Sequence, residues 1–155
     1  MPETRLVNGV KVPEISLPLQ NGAHLSLSTL QKSNKIILID FWASWCKPCL
    51  TSFPELKKVY NKYRDLPIGN ADGFTIYSVS LDNDLAKWQE VITQYELDWP
   101  HQVIDTTAFG SNYLDLYQFS QIPTSYLIDE NGIIIGKNIT FKWMDYELGR
   151  RAGIR

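Results

Sequence analysis

The stretch IILIDFWASWCKPCLTSFP, residues 36–54, decides how the rest of this 155-residue chain is read. Ile36, Ile37, Leu38 and Ile39 form an unbroken aliphatic run, which suits a strand buried on both faces of a sheet. The chain's only two cysteines, Cys46 and Cys49, follow just past that strand, separated by Lys47 and Pro48, at the head of a helical segment. A C-x-x-C placed there, in a strand–helix–strand context, reads as a thiol–disulfide redox site.

Helical geometry in a first turn puts residues three apart on one face, so the two sulfurs can meet in a short-loop disulfide. Cys46 then sits at a helix N-terminus, where backbone N–H groups and the helix dipole stabilise a thiolate. Pro48 is tolerated in a first turn, which has no intrahelical bond to lose there. Lys47 adds a positive charge that favours the anion. Cys46 is therefore the expected attacking thiol and Cys49 the resolving one, since the thiolate is the nucleophile in exchange. The bland alternatives are a structural disulfide and half of a zinc site. A loop this short removes little chain entropy. Zinc would need further ligands, and the only histidines, His24 and His101, are isolated, so no metal is expected.

Asp40-Phe41-Trp42-Ala43, Trp45-Cys46 and Pro48-Cys49, joined by a distant Ile122-Pro123-Thr124 and a strand-like run over 125–129, resemble the thioredoxin superfamily. The extension ending in Leu25-Ser26-Leu27-Ser28-Thr29-Leu30 and a helical insert between residues 82 and 121 are similar to its extracytoplasmic TlpA/ResA-type branch. The resemblance spans about residues 12–148. It implies a three-layer α/β fold, in which helices flank a central mixed β-sheet. An N-terminal β-hairpin precedes the sheet, and the helical insert precedes the cis-Pro strand. It implies that Pro123 is that cis-proline, facing the C-x-x-C, with Ile122 and Pro123 as substrate contacts. It implies that Asp40 is a buried acid beneath Cys49. Burial without a salt-bridge partner raises a carboxyl pKa and suits Asp40 to relay the Cys49 proton. Trp45, Lys47 and Pro48 are the expected site-tuning residues, Trp45 as a rim beside the disulfide. One departure stands out. The branch commonly carries an acid three residues after the second cysteine, where this chain has Ser52, which weakens transfer of a specific cytochrome c maturation role.

The composition is consistent with one domain: 44% of residues are hydrophobic, enough for a real core. Residues 1–11 read as a loose lead-in or linker stub and 12–155 as a single thioredoxin-like domain. A charged fraction of 21% and a net charge of −2 give no electrostatic case for nucleic acid or an anionic membrane. No apolar run approaches the roughly 20 residues of a spanning helix. Residues 1–7 show no export signal, so the extracytoplasmic, periplasmic or envelope location is an implication of the resemblance, the signal or anchor lying outside this chain.

Along the chain, 15–17 and 25–27 read as a hairpin about Asn21-Gly22. Ser28 is the expected cap of a helical turn through 31. A strand over 35–41 leads into a helix with a stripe of Leu50, Phe53, Leu56, Val59, Tyr60 and Tyr63, kinked by Pro54. A strand over 74–81 follows, then a helix capped within Asp82-Asn83-Asp84, with Leu85, Trp88, Val91, Ile92 and Tyr95 inward. A short strand over 101–104, a loop over 105–110 and a helix over 111–119 come next, with Phe109, Tyr113 and Tyr117 in the core. A hairpin of 124–129 and 133–137 and a final helix over 144–150 complete the reading.

These residues point to a thiol–disulfide oxidoreductase that reduces protein disulfides and needs no cofactor beyond its cysteines. By family implication it is reset by a membrane or thioredoxin-like electron donor, in cytochrome c maturation or envelope redox homeostasis. Nothing in the sequence points to an oligomeric state. Two rivals remain: a thiol peroxidase, which would want a single peroxidatic cysteine in a Thr- and Arg-supported pocket, and a non-enzymatic binding module with vestigial cysteines.

Overall fold

The computed structural model describes residues 4–107 and 112–154. In chain order its elements are β1 (Ser16–Pro18), β2 (His24–Ser26), α1 (Leu27–Gln31), β3 (Ile36–Trp42), α2 (Lys47–Tyr63) and β4 (Phe74–Ser80). They continue with α3 (Leu85–Gln94), β5 (Gln102–Ile104), α4 (Tyr113–Leu116), β6 (Thr124–Ile128), β7 (Ile134–Lys137) and α5 (Phe141–Arg151). β1 and β2 pair as an antiparallel hairpin, turned where the Asn21 carboxamide accepts from the Ala23 N–H and Gly22 takes φ +86°. The other five strands form one mixed sheet in the order β5-β4-β3-β6-β7. β4 lies parallel to β3 and to β5, while β6 runs antiparallel to β3 and β7.

The unbroken apolar run explains why β3 is central. All seven of its residues are buried, because both faces are covered. Ile36, Leu38 and Trp42 point into a core shared with Phe53, Leu56 and Tyr60 of α2, Trp88 of α3 and Met144 and Leu148 of α5. Ile37, Ile39 and Phe41 point the other way, to Leu17, Leu27, Leu30 and Tyr117. Aromatic rings lock both cores: Trp42 meets Phe53 edge-on at 5.1 Å, and Phe41 meets Tyr117 at 5.3 Å.

Several sequence expectations shift. α1 is capped by Ser26 rather than Ser28, its hydroxyl accepting from the Thr29 N–H at 3.1 Å. Leu85 is 54% exposed, because it opens α3 one turn before the inward stripe of Trp88, Val91 and Ile92. α2 holds Pro54 inside it, where the sequence reading placed it. α4 is a single turn rather than a helix over 111–119, and Tyr113 is only half-buried, while Tyr117 is fully buried. Phe109 lies outside the described residues. α5 begins three residues earlier than expected, where the Thr140 hydroxyl caps the Trp143 N–H. The expectation of a loose lead-in gives way for residues 4–11. Leu6 is buried, and the Gly9 and Val12 N–H groups donate to the Ile134 and Gly132 carbonyls beside β7.

Candidate active site

Two strand ends bring the site together. β3 and β6 run antiparallel, with Phe41 opposite Thr124 and Asp40 opposite Ser125. The loop after Trp42 and the segment before Thr124 therefore emerge at the same edge of the sheet. The first carries Trp45, Cys46 and Cys49; the second carries Ile122 and Pro123, joined by a cis peptide bond.

Cys46 is the N-cap of α2, and Pro48 occupies its first turn. The Cys46 sulfur accepts a hydrogen bond from the Cys49 N–H at 3.3 Å, one of the donors that a helix start leaves unpaired. The two cysteines are joined as a disulfide, with 5.3 Å between their Cα atoms. Both are sheltered, Cys46 at 5% and Cys49 at 2% exposure. Lys47 and Pro48 are exposed beside them. Trp45 is 59% exposed on the rim, whereas Trp42 is wholly buried. A groove of about 300 Å³ is lined by Trp45, Leu81, Leu114, Phe119 and Ile122.

Asp40 sits on the α2 face of β3, because side chains alternate along a strand and its neighbours Leu38 and Trp42 point there. Burial pushes its carboxyl up to about 7, with no neighbouring charge contributing. It adjoins a cavity of about 180 Å³ between β3, β6, α2 and α5, whose other polar walls are Ser52, Ser125 and Asn138. The Ser52 hydroxyl donates to the Cys49 carbonyl at 2.7 Å, so this residue is turned back onto its own helix.

One site residue escaped the sequence reading. Asp82, read there only as part of a helix-capping cluster, is 2% exposed and accepts from the Ser44 N–H, the Ser44 hydroxyl at 2.6 Å and the Ser80 hydroxyl at 2.6 Å. It ties the loop that presents Cys46 to the end of β4. Asp84 alone caps α3. Among the described residues no three His, Cys, Asp or Glu side chains converge as a metal site.

A cysteine pair at a helix start, on a mixed sheet with a cis-proline at the same edge, defines the class of thiol–disulfide oxidoreductases. A thioredoxin-like family model matches residues 34–134, well over half of the chain. The chain belongs to the thioredoxin-like family, in its TlpA/ResA-like branch. It is 30% identical over 132 residues to the thioredoxin-like protein YneN of Bacillus subtilis, covering 85% of this chain and 71% of that one. It is 28% identical over 131 residues to the thiol-disulfide oxidoreductase ResA of Bacillus cereus, covering 84% and 69%. Among solved structures it is similar to a thiol:disulfide interchange protein from a Bacteroides species, with TM-score 0.83 and 28% identity over 96% of this chain and 91% of that one. The thioredoxin domain of a thiol-disulfide oxidoreductase from Bacteroides vulgatus gives TM-score 0.79 and 28% identity, covering 93% and 99%.

Proposed function

We propose that this oxidoreductase works as a reductase of protein disulfides outside the cytoplasm, with a single thioredoxin-like domain into which residues 4–11 also pack. The observation that carries the reading is the position of Cys46, capping α2 and bonded to Cys49, where its thiolate is stabilised. The Cys46 thiolate attacks one sulfur of a substrate disulfide. That S–S bond breaks, a mixed disulfide forms, and the other substrate sulfur leaves as a thiolate. Cys49 passes its proton to the Asp40 carboxylate and attacks the Cys46 sulfur. The Cys46–Cys49 bond forms, and the second substrate thiolate departs. Two electrons have moved from the dithiol to the substrate, and a dithiol donor, membrane-borne or thioredoxin-like, returns them.

Each remaining residue has a part in this scheme. Trp45, Ile122 and Pro123 border the place where the mixed disulfide forms, and they contact the substrate chain. Lys47 and Pro48 tune the Cys46 thiolate. The extracytoplasmic setting is supported by the likeness to the ResA-type branch. No helix among the described residues is long and apolar enough to cross a membrane. Ser52 argues for general disulfide reduction rather than a dedicated cytochrome c role.

Insulin reduction with the dithiol regenerated by dithiothreitol tests the scheme. Cys46→Ser is expected to abolish turnover, and Cys49→Ser to accumulate a mixed disulfide that survives non-reducing electrophoresis. Undiminished turnover in Cys46→Ser would sink the reading.

A further inference from the structure

The strand registers align four polar side chains in one row across the sheet. Gln102 on β5 pairs with Ser78 on β4, Ser78 with Asp40 on β3, and Asp40 with Ser125 on β6. Register partners share a face. Here it is the face that carries α2, since Leu38, Ile76, Ile104 and Leu127, each two residues from a member of the row, all belong to that core. Buried polar groups are costly unless they are hydrogen-bonded. Yet the Ser78 hydroxyl and both amide atoms of Gln102 are buried with no protein partner. Neighbouring strands lie about 4.8 Å apart, and since the Ser78 hydroxyl bonds directly to neither Asp40 nor Gln102, one water between them is the bridge that satisfies it. A buried water is held by about three polar neighbours, which a row of this composition supplies.

One end of the row reaches solvent. Ser125 lines the 180 Å³ cavity together with Asp40, Ser52 and Asn138. Asn138 is exposed at the mouth, and its carboxamide oxygen accepts from the Ser125 N–H at 2.8 Å. The groove beside Trp45 and Ile122 shares no lining residue with this cavity.

We propose that Gln102, Ser78, Asp40 and Ser125 form a water-bridged proton conduit, in which Ser78 and Gln102 are positioning residues for Asp40 and the Ser125–Asn138 cavity is the outlet. The inference rests on the relay role of Asp40 proposed above. It says where the relayed proton goes: a substrate chain held at Cys46 covers the Trp45 groove and borders the cavity at Pro123, and the proton leaves on the cavity's far side, past Ser125 and Asn138. Among the described residues, no charged group shifts Asp40. Its partners on β4 and β6 are serines. The titratable side chains that α2 buries in this core are Cys49, Tyr60 and Tyr63. Asp145 on α5 accepts from Tyr63 and Lys62 instead.

The test is single-turnover reduction of a disulfide-linked fluorescent peptide by the pre-reduced protein, followed across the pH range in which Asp40 titrates. Asp40→Asn is expected to erase the carboxyl midpoint from the profile. Ser78→Ala and Gln102→Leu remove donors that favour the ionised carboxylate, and are expected to raise that midpoint by about half to one pH unit. Both are expected to lower thermal stability modestly, because each removes one member of a water-bridged row, while the fold is kept. Ser125→Val removes a row donor and narrows the outlet, so it is expected to raise the midpoint as Ser78→Ala does and, unlike Ser78→Ala, to slow the turnover about tenfold. If Asp40→Asn leaves the profile intact, the relay itself fails and the conduit with it. If Asp40→Asn erases the midpoint while Ser78→Ala and Gln102→Leu leave it in place, the relay stands and the row is inert. An undiminished rate in Ser125→Val overturns the outlet.

Discussion

Near pH 7 the Asp40 carboxyl is about half ionised, since burial pushes it from 3.8 in the unfolded chain to about 7. Between those values the folded protein holds a proton that the unfolded chain has released. This carboxyl's contribution to stability is therefore full below about pH 4, falls as pH rises toward 7, and levels off above. Raising a carboxyl's pKa by one costs its ionised form about 1.4 kcal/mol, so the whole penalty is roughly 4 kcal/mol at most. Asp40→Asn is expected to remove this slope, making the oxidised variant more stable than the parent above pH 7 by up to that amount. Urea unfolding of both proteins on either side of the window reads the difference, and parallel stability curves would contradict it. The position of Asp40 was legible from its place six residues before Cys46. The neutral row around it was not, because a serine in a strand gives no sign of which residue the neighbouring strands will set beside it.

Asp82 governs the element scale, since it fastens the loop between β3 and α2 to the end of β4 through Ser44 and Ser80. Hydrogen bonds to a buried carboxylate are the stronger kind. Asp82→Ala is expected to cost about 2–3 kcal/mol of stability and to slow disulfide exchange, because Ser44 lies two residues before Cys46. Denaturant midpoints and insulin turnover check both; a variant with normal stability and rate would contradict the latch. The sequence offered three clustered polar residues, Asp82-Asn83-Asp84, and local chemistry alone makes any of them a cap. Only the long-range contact to Ser44 separates Asp82 from Asp84. The same limit moved the α1 cap from Ser28 to Ser26 and left Leu85 outside the core. Periodicity over long segments was more reliable: the buried faces of β3, β4 and α2 fell where the apolar pattern put them.

For the molecule as a whole, the described residues before β1 hold an edge strap, residues 9–12, against the β7 side of the sheet rather than a loose tail. Removing residues 1–11 takes away the buried Leu6 and the backbone bonds from Gly9 to Ile134 and from Ile134 to Val10. Burial of one such leucine contributes about 1.5–3 kcal/mol, so the truncated chain is expected to melt several degrees lower with its disulfide chemistry unchanged. An unaltered melting temperature would contradict the strap. This pairing was hidden in the sequence because Gly9, Val10 and Lys11 have no strand pattern of their own, and their partners lie more than 120 residues away. The mixed sheet, the cysteine pair and the proline opposite were legible because two specific motifs, far apart in sequence, had to meet. The central claim is that Cys46 and Cys49 form a reducing two-electron couple, and its most direct test is the reduction potential of the pair in defined glutathione or dithiothreitol buffers. A value near thioredoxin's, about −270 mV, or lower is expected; a value toward about −120 mV, or a pair that does not titrate with two electrons, would contradict it.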